Sequence, residues 1–149
     1  GTNQMMTHIS FLGQSIADRF PTHAEMYNQN INSQSMNAAN LARDQLDILE
    51  HFLAAAAITG VQAVELRAWS EAETYDARGV LSPATVPLYE AVRNAAKGAP
   101  DPAQPLIWND FDGFIQDLVE GTLTSISARG DVISAVRPQA VQLGEFVAR

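Results

Sequence analysis

Cysteine is absent from the 149 residues, which excludes disulfides, thiolate nucleophiles and cysteine-based metal sites. Lysine occurs once, at Lys97, and the nine basic residues are outnumbered by seventeen acidic ones, for a net charge of −8. Neutralising phosphates takes clustered Lys and Arg, so nucleic acid is not an expected partner. The three histidines, His8, His23 and His51, stand far apart with no His-Glu-x-x-His spacing, and no metal site is expected. A Gly-rich phosphate loop, a nucleophile elbow, internal repeats and period-two strand alternation are all missing. The opening "GTNQMMTHIS" has no basic n-region and no long apolar run, so a cytoplasmic location is expected. It also does not begin with Met, as a processed or excised piece would not.

What remains is a chain with 46% hydrophobic and 17% charged residues, a globular composition long enough for one domain with a sizeable core. The patterning is helical throughout and the expected fold class is all-α. Residues 1 to about 22 carry Ile9, Phe11, Leu12 and Ile16 at near-helical spacing, until Pro21 argues against an interior helical turn. A long helix is predicted over 37–69. One of its faces holds Leu41, Ile48, Phe52, Ala56, Gly60 and Val64, and a neighbouring face holds Leu49, Leu53, Ala57 and Val61. Between residues 52 and 64 only Thr59 and Gln62 are polar, so the helix is expected to be buried on all sides by further protein. Its apolar run is too short and too rich in Ala and Gly for an expected membrane span, which needs ~20 apolar residues.

Shorter helices are predicted beyond it. Ser82-Pro83 and a start near Thr85 compete to open one that Gly98 closes, after which "APDPAQP" is a rigid connection. Asp110 is placed to cap an amphipathic helix containing Phe114, Ile115, Leu118, Val119, Leu123 and Ile126, ended by Gly130. Asp131 then caps a short last helix, "VISAV".

Candidate chemistry is concentrated in "HAEMYNQNINSQSMNAANLA", residues 23–42, with five asparagines and two glutamines. Glu25 near His23 reads either as an acid–base pair or as solvated loop residues. Asn28, Gln29, Asn30 and Asn32 read either as paired donors and acceptors for a polar ligand or as a turn capping the next helix. Tyr75-Asp76-Ala77-Arg78 reads as a loop held by an Asp–Arg pair, and Trp108-Asn109-Asp110 as a buried aromatic before a helix cap.

The stretch "ADRFPTHAEMYNQNINSQ", residues 17–34, strongly resembles the aromatic amino acid ammonia-lyase and aminomutase family, whose members use a methylideneimidazolone prosthetic group. The likeness runs on in order through "NLARDQLDIL", "GVQAVELRA", "YDARGVLSPAT", "PLYEAVR", "PLIWNDFDGF" and "GDVISAV". It covers nearly the whole chain and concerns the C-terminal portion of such enzymes. The resemblance implies residues 1–36 as an active-site segment, 37–69 as a long helix of a central bundle, and 70–149 as C-terminal helices.

By the same resemblance, Glu25 matches a family glutamate near the substrate amine, and Asn28 and Gln29 match a pair lining the pocket beside the prosthetic group. Histidine-specific members carry a glutamate where Gln29 stands. A neutral amide leaves no unpaired charge beside a phenyl or phenol ring, so Gln29 favours phenylalanine or tyrosine. Met26-Tyr27, Ser35 and Glu65 depart from the more usual Gln-Phe, Gly and Asp, the last reading as a conservative, structural change.

The family's electrophile, 4-methylideneimidazol-5-one, forms from an internal Ala-Ser-Gly, which this chain does not contain. Nor does any motif match the family's catalytic tyrosine loop. The resemblance therefore implies an ammonia-lyase that makes a cinnamate-type acid, assembled with an N-terminal part of the same enzyme into a homotetramer. The 149 residues alone are expected to be inactive. An aminomutase is the close alternative, and a non-catalytic helical remnant acting as an oligomerisation partner is a third.

Overall fold

A computed structural model describes residues 1–19, 34–96, 98–107 and 112–147. They are helical, with no strand among them beyond an isolated bridge between Asp101 and Gln104. In chain order the elements are α1 (Thr2–Leu12), α2 (Ile16–Arg19), α3 (Ser35–Ala72), a 3₁₀ turn (Ala77–Gly79), α4 (Val86–Ala96), α5 (Asp112–Ser127) and α6 (Asp131–Val147). The fold class is all-α, one long helix with shorter ones before and after it. Packing groups the residues into two compact units, Gly1–Phe52 and Leu53–Arg149, and the division falls inside α3.

In the first unit, α1 buries no residue. Its last turn is closed by the Gly13 amide, which donates to the Ile9 carbonyl at 3.0 Å. The same carbonyl accepts from Gln45 Nε2 of α3, also at 3.0 Å. One side-chain amide thus ties the C-terminal end of α1, where carbonyls lack helical partners, to α3.

The second unit holds the core. Ala54, Ile58, Val61, Glu65 and Ala68 are the buried residues of α3, at alternating steps of four and three that form one stripe. Against them lie Ala77, Tyr89, Val92, Leu106, Leu118, Ile126 and Val132. Leu106 and Leu118 are almost fully enclosed, and each contributes about 1.5–3 kcal/mol by leaving water. α4 packs on both α5 and α6, which also touch each other. The α4–α5 crossing is close because Gly121 presents no side chain: a Cβ there would stand 2.6 Å from the Ala95 carbonyl oxygen.

The long helix differs from its predicted form in extent and burial. It runs three residues past Trp69 and stops at Glu73, a non-glycine residue in the left-handed region (φ 54), whose amide donates to the Trp69 carbonyl. It is not enclosed on all sides by these residues: Leu53 is 46% exposed and Trp69 45%, and Leu46, Leu49 and Leu66 are also exposed. By length and composition α3 is long and apolar enough to cross a membrane, although its apolar run led to the opposite expectation. The core helices of soluble proteins share that length and composition.

Other boundaries are corrected as well. α4 begins at Val86, after a turn in which the Thr85 amide donates to the Ser82 carbonyl at 2.9 Å. Ser82 and Pro83 therefore belong to that turn, and Pro87 sits in the first helical turn, where its missing N–H costs no bond. Gly98 (φ 108) closes α4 as expected, its amide donating to the Arg93 carbonyl at 2.9 Å.

At the end of α5 the left-handed residue is Arg129 (φ 52), not Gly130. Gly130 instead allows close approach, since a Cβ on it would meet Ser125 Oγ at 3.1 Å and the Ser125 carbonyl at 3.3 Å. The last helix is not a five-residue piece: α6 has 17 residues and carries Pro138 in its interior. Pro138 is exposed, so its ring and lost donor interrupt one hydrogen bond on the solvent side without ending the helix.

Candidate functional site

Glu25, Asn28 and Gln29, the sequence-predicted site residues, lie outside the described residues, as do His23 and Trp108-Asn109-Asp110. The structure gives the two ends of the first of these segments. α2 ends at Arg19, and the chain is described again from Gln34, which is left-handed (φ 52). The Gln34 carbonyl accepts from the Ala38 amide at 3.0 Å and its Oε1 accepts from Asn37 Nδ2 at 3.3 Å. Gln34 and Asn37 thus act as the helix entry that the amide-rich stretch suggested for its second half. Within the same unit, a cavity of about 380 Å³ is lined by Leu12, Gln14, Ser15 and Ile16 and by Leu41 and Gln45 of α3.

A second polar arrangement lies in the core of the other unit. Glu65 is 0% exposed, and two donors and a guanidinium converge on its carboxylate. Tyr89 Oη donates to Oε1 at 3.0 Å, and the Leu106 amide donates to Oε2. Arg93, 3% exposed, sets Nε 3.1 Å from Oε1 as an ion pair, without its N–H aimed along a hydrogen bond. Arg93 Nη2 also donates to the Gln104 carbonyl at 3.1 Å, and the Ile107 amide donates to Gln62 Oε1 at 2.8 Å. The Tyr89 oxygen in turn accepts a long bond, 3.5 Å, from the Ala77 amide.

These bonds hold residues 98–107, which make no sheet ladder, against α3 and α4. Buried backbone groups need partners, and side chains supply them here. Burial pushes the Glu65 carboxyl up from its ordinary value, against the opposing pull of the Leu106 amide, Arg93 and Tyr89. Burial and then the Glu65 charge push the Tyr89 phenol up as well. With every carboxylate oxygen occupied and no exposure, Glu65 has no face for a substrate. The arrangement is a structural anchor.

The loop read as an Asp–Arg pair is one. Arg78 Nε donates to Asp76 Oδ1 at 2.9 Å and to Oδ2 at 3.0 Å, and Asp76 Oδ1 also accepts the Arg78 amide at 3.1 Å. Hydrogen bonding from Arg78 holds the Asp76 carboxyl below its ordinary value. Beside it, Trp69 and Tyr75 stack with centroids 4.6 Å apart and planes 11° from parallel.

Sequence reasoning took Glu65 as structural but singled out none of its partners. A signal existed: Tyr89 and Arg93 are four apart on one face of a helix, and Glu65 is an acid directly after the apolar stretch of α3.

A model of the aromatic amino acid lyase family matches residues 2–94. The chain belongs to the aromatic amino acid lyase family. It is 64% identical over 146 residues to an aromatic ammonia-lyase of Loktanella atrilutea, a match covering 98% of this chain and 27% of that protein. To a phenylalanine ammonia-lyase of Nostoc punctiforme it is 44% identical over 134 residues, 90% of this chain and 24% of the relative. A phenylalanine aminomutase (L-beta-phenylalanine forming) of Talaromyces islandicus is 32% identical over 77 residues, 52% of this chain and 11% of the relative. The chain thus spans about a quarter of the length of its two more similar lyase relatives. Both the stretch holding Glu25, Asn28 and Gln29 and the Glu65–Tyr89–Arg93 anchor fall inside the part matched by the family model.

Proposed function

We propose that these residues form the helical portion of an aromatic amino acid ammonia-lyase, a carbon–nitrogen lyase that eliminates ammonia from phenylalanine or tyrosine to give a cinnamate-type acid. The observation that carries the reading is the 64% identity to an aromatic ammonia-lyase across 98% of this chain. In this reading the carboxylate of Glu25 holds the substrate ammonium, or the departing ammonia. Asn28 and Gln29 line the pocket beside the aromatic ring, and the amide of Gln29 suits a phenyl or phenol group better than an imidazole. The methylideneimidazolone group supplies the electrophile that activates the amino acid. This chain has no Ala-Ser-Gly from which to form it, so the group comes from a further part of the polypeptide. The 149 residues alone are inactive.

The exposed apolar residues of α3, Leu46 and Leu49 in the first unit and Leu53, Leu66 and Trp69 in the second, support assembly with further protein, which we take to be a homotetramer built on these helices. The 32% identity to a phenylalanine aminomutase favours a second reading, in which ammonia is returned to the β-carbon. It reaches only 52% of the chain, and we rank it below the lyase.

The reading is tested by sequencing the gene upstream of Gly1. An in-frame Ala-Ser-Gly is expected. A stop codon between such a triplet and Gly1 would instead make this chain a non-catalytic helical remnant.

A further inference from the structure

We draw no further inference here: the strongest candidate, the apolar groove between α3 and α4 lined by Ala57, Val61, Val64, Leu88 and Val92, carries no proposal because nothing in the structure shows what covers it.

Discussion

Glu65 and Tyr89, 24 residues apart, share a buried hydrogen bond of 3.0 Å that joins the stripe of α3 to α4. Arg93 and the Leu106 amide complete the same carboxylate, so one side chain fixes two helices and the segment between α4 and α5. Removing one partner of a buried ion pair leaves the other uncompensated, which costs about 3–5 kcal/mol.

Glu65→Ala should therefore lower the stability measured by denaturant unfolding by about that amount. Glu65→Gln keeps the shape but turns an NH₂ toward a cluster of donors, and should lose a smaller part of it. In both variants the Leu106 amide should exchange with solvent faster than in the parent. Unchanged exchange at Leu106 would show that residues 98–107 are held by apolar contact alone.

The pair at the Asp76 loop predicts a pH dependence. The Asp76 carboxyl is held below its ordinary value of 3.8, so the folded state releases that proton more readily than the unfolded one. Its stabilising contribution is fully present above pH 3.8 and is lost as pH falls through the lower folded value. Asp76→Asn should therefore be less stable than the parent at neutral pH, and the gap should close in acid. Glu65 has the opposite sign: its carboxyl is raised above 4.5, so its contribution is present below 4.5 and declines as pH rises through the folded value. Paired unfolding curves against pH, with Asp76→Asn and Glu65→Gln as references, separate the two.

Two glycines make a matched test of packing. Gly121→Ala puts a methyl 2.6 Å from the Ala95 carbonyl, a backbone atom that cannot move without parting α4 from α5. A loss of about 1–3 kcal/mol is expected. A Cβ at Gly60 meets nothing within 4 Å, so Gly60→Ala should raise helix stability by about 0.5–1 kcal/mol. Thermal unfolding of the 149-residue chain checks both, and equal effects would contradict the close α4–α5 crossing.

Much of this architecture is legible in the residues, for physical reasons that also show where legibility stops. The long helix is visible because no proline and one glycine interrupt residues 37–69, and Gly98 marks a helix end because its left-handed turn is cheap for glycine. The ends at Glu73 and Arg129 are not visible, because side chains that rarely adopt the left-handed region adopt it there. The last helix outruns "VISAV" because Pro138, costly in a buried helix interior, lies on an exposed surface where the helix passes it. Glu65 is recognisable as structural, but its partners come from residues 24, 28 and 41 positions away, a distance local patterning does not reach. The candidate site is legible only through the family resemblance, because Glu25, Asn28 and Gln29 by themselves also suit a solvated turn.

Within the proposed site, Glu25→Ala in the complete enzyme should cut kcat while leaving the oligomer intact by size-exclusion chromatography with light scattering. Loss of assembly at unchanged turnover per folded site would make Glu25 structural. Gln29→Glu should lower kcat/KM for phenylalanine more than it lowers the unfolding temperature, because it sets a charge beside an apolar ring.

The most direct test of the whole account is the steady-state rate of ammonia release by the complete enzyme from phenylalanine, tyrosine and histidine, with the conjugated acid followed in parallel by ultraviolet absorbance. Ammonia and a cinnamate-type acid are expected in equal amounts from phenylalanine or tyrosine, with histidine far poorer. Ammonia release from none of the three, or a preference for histidine, would contradict it.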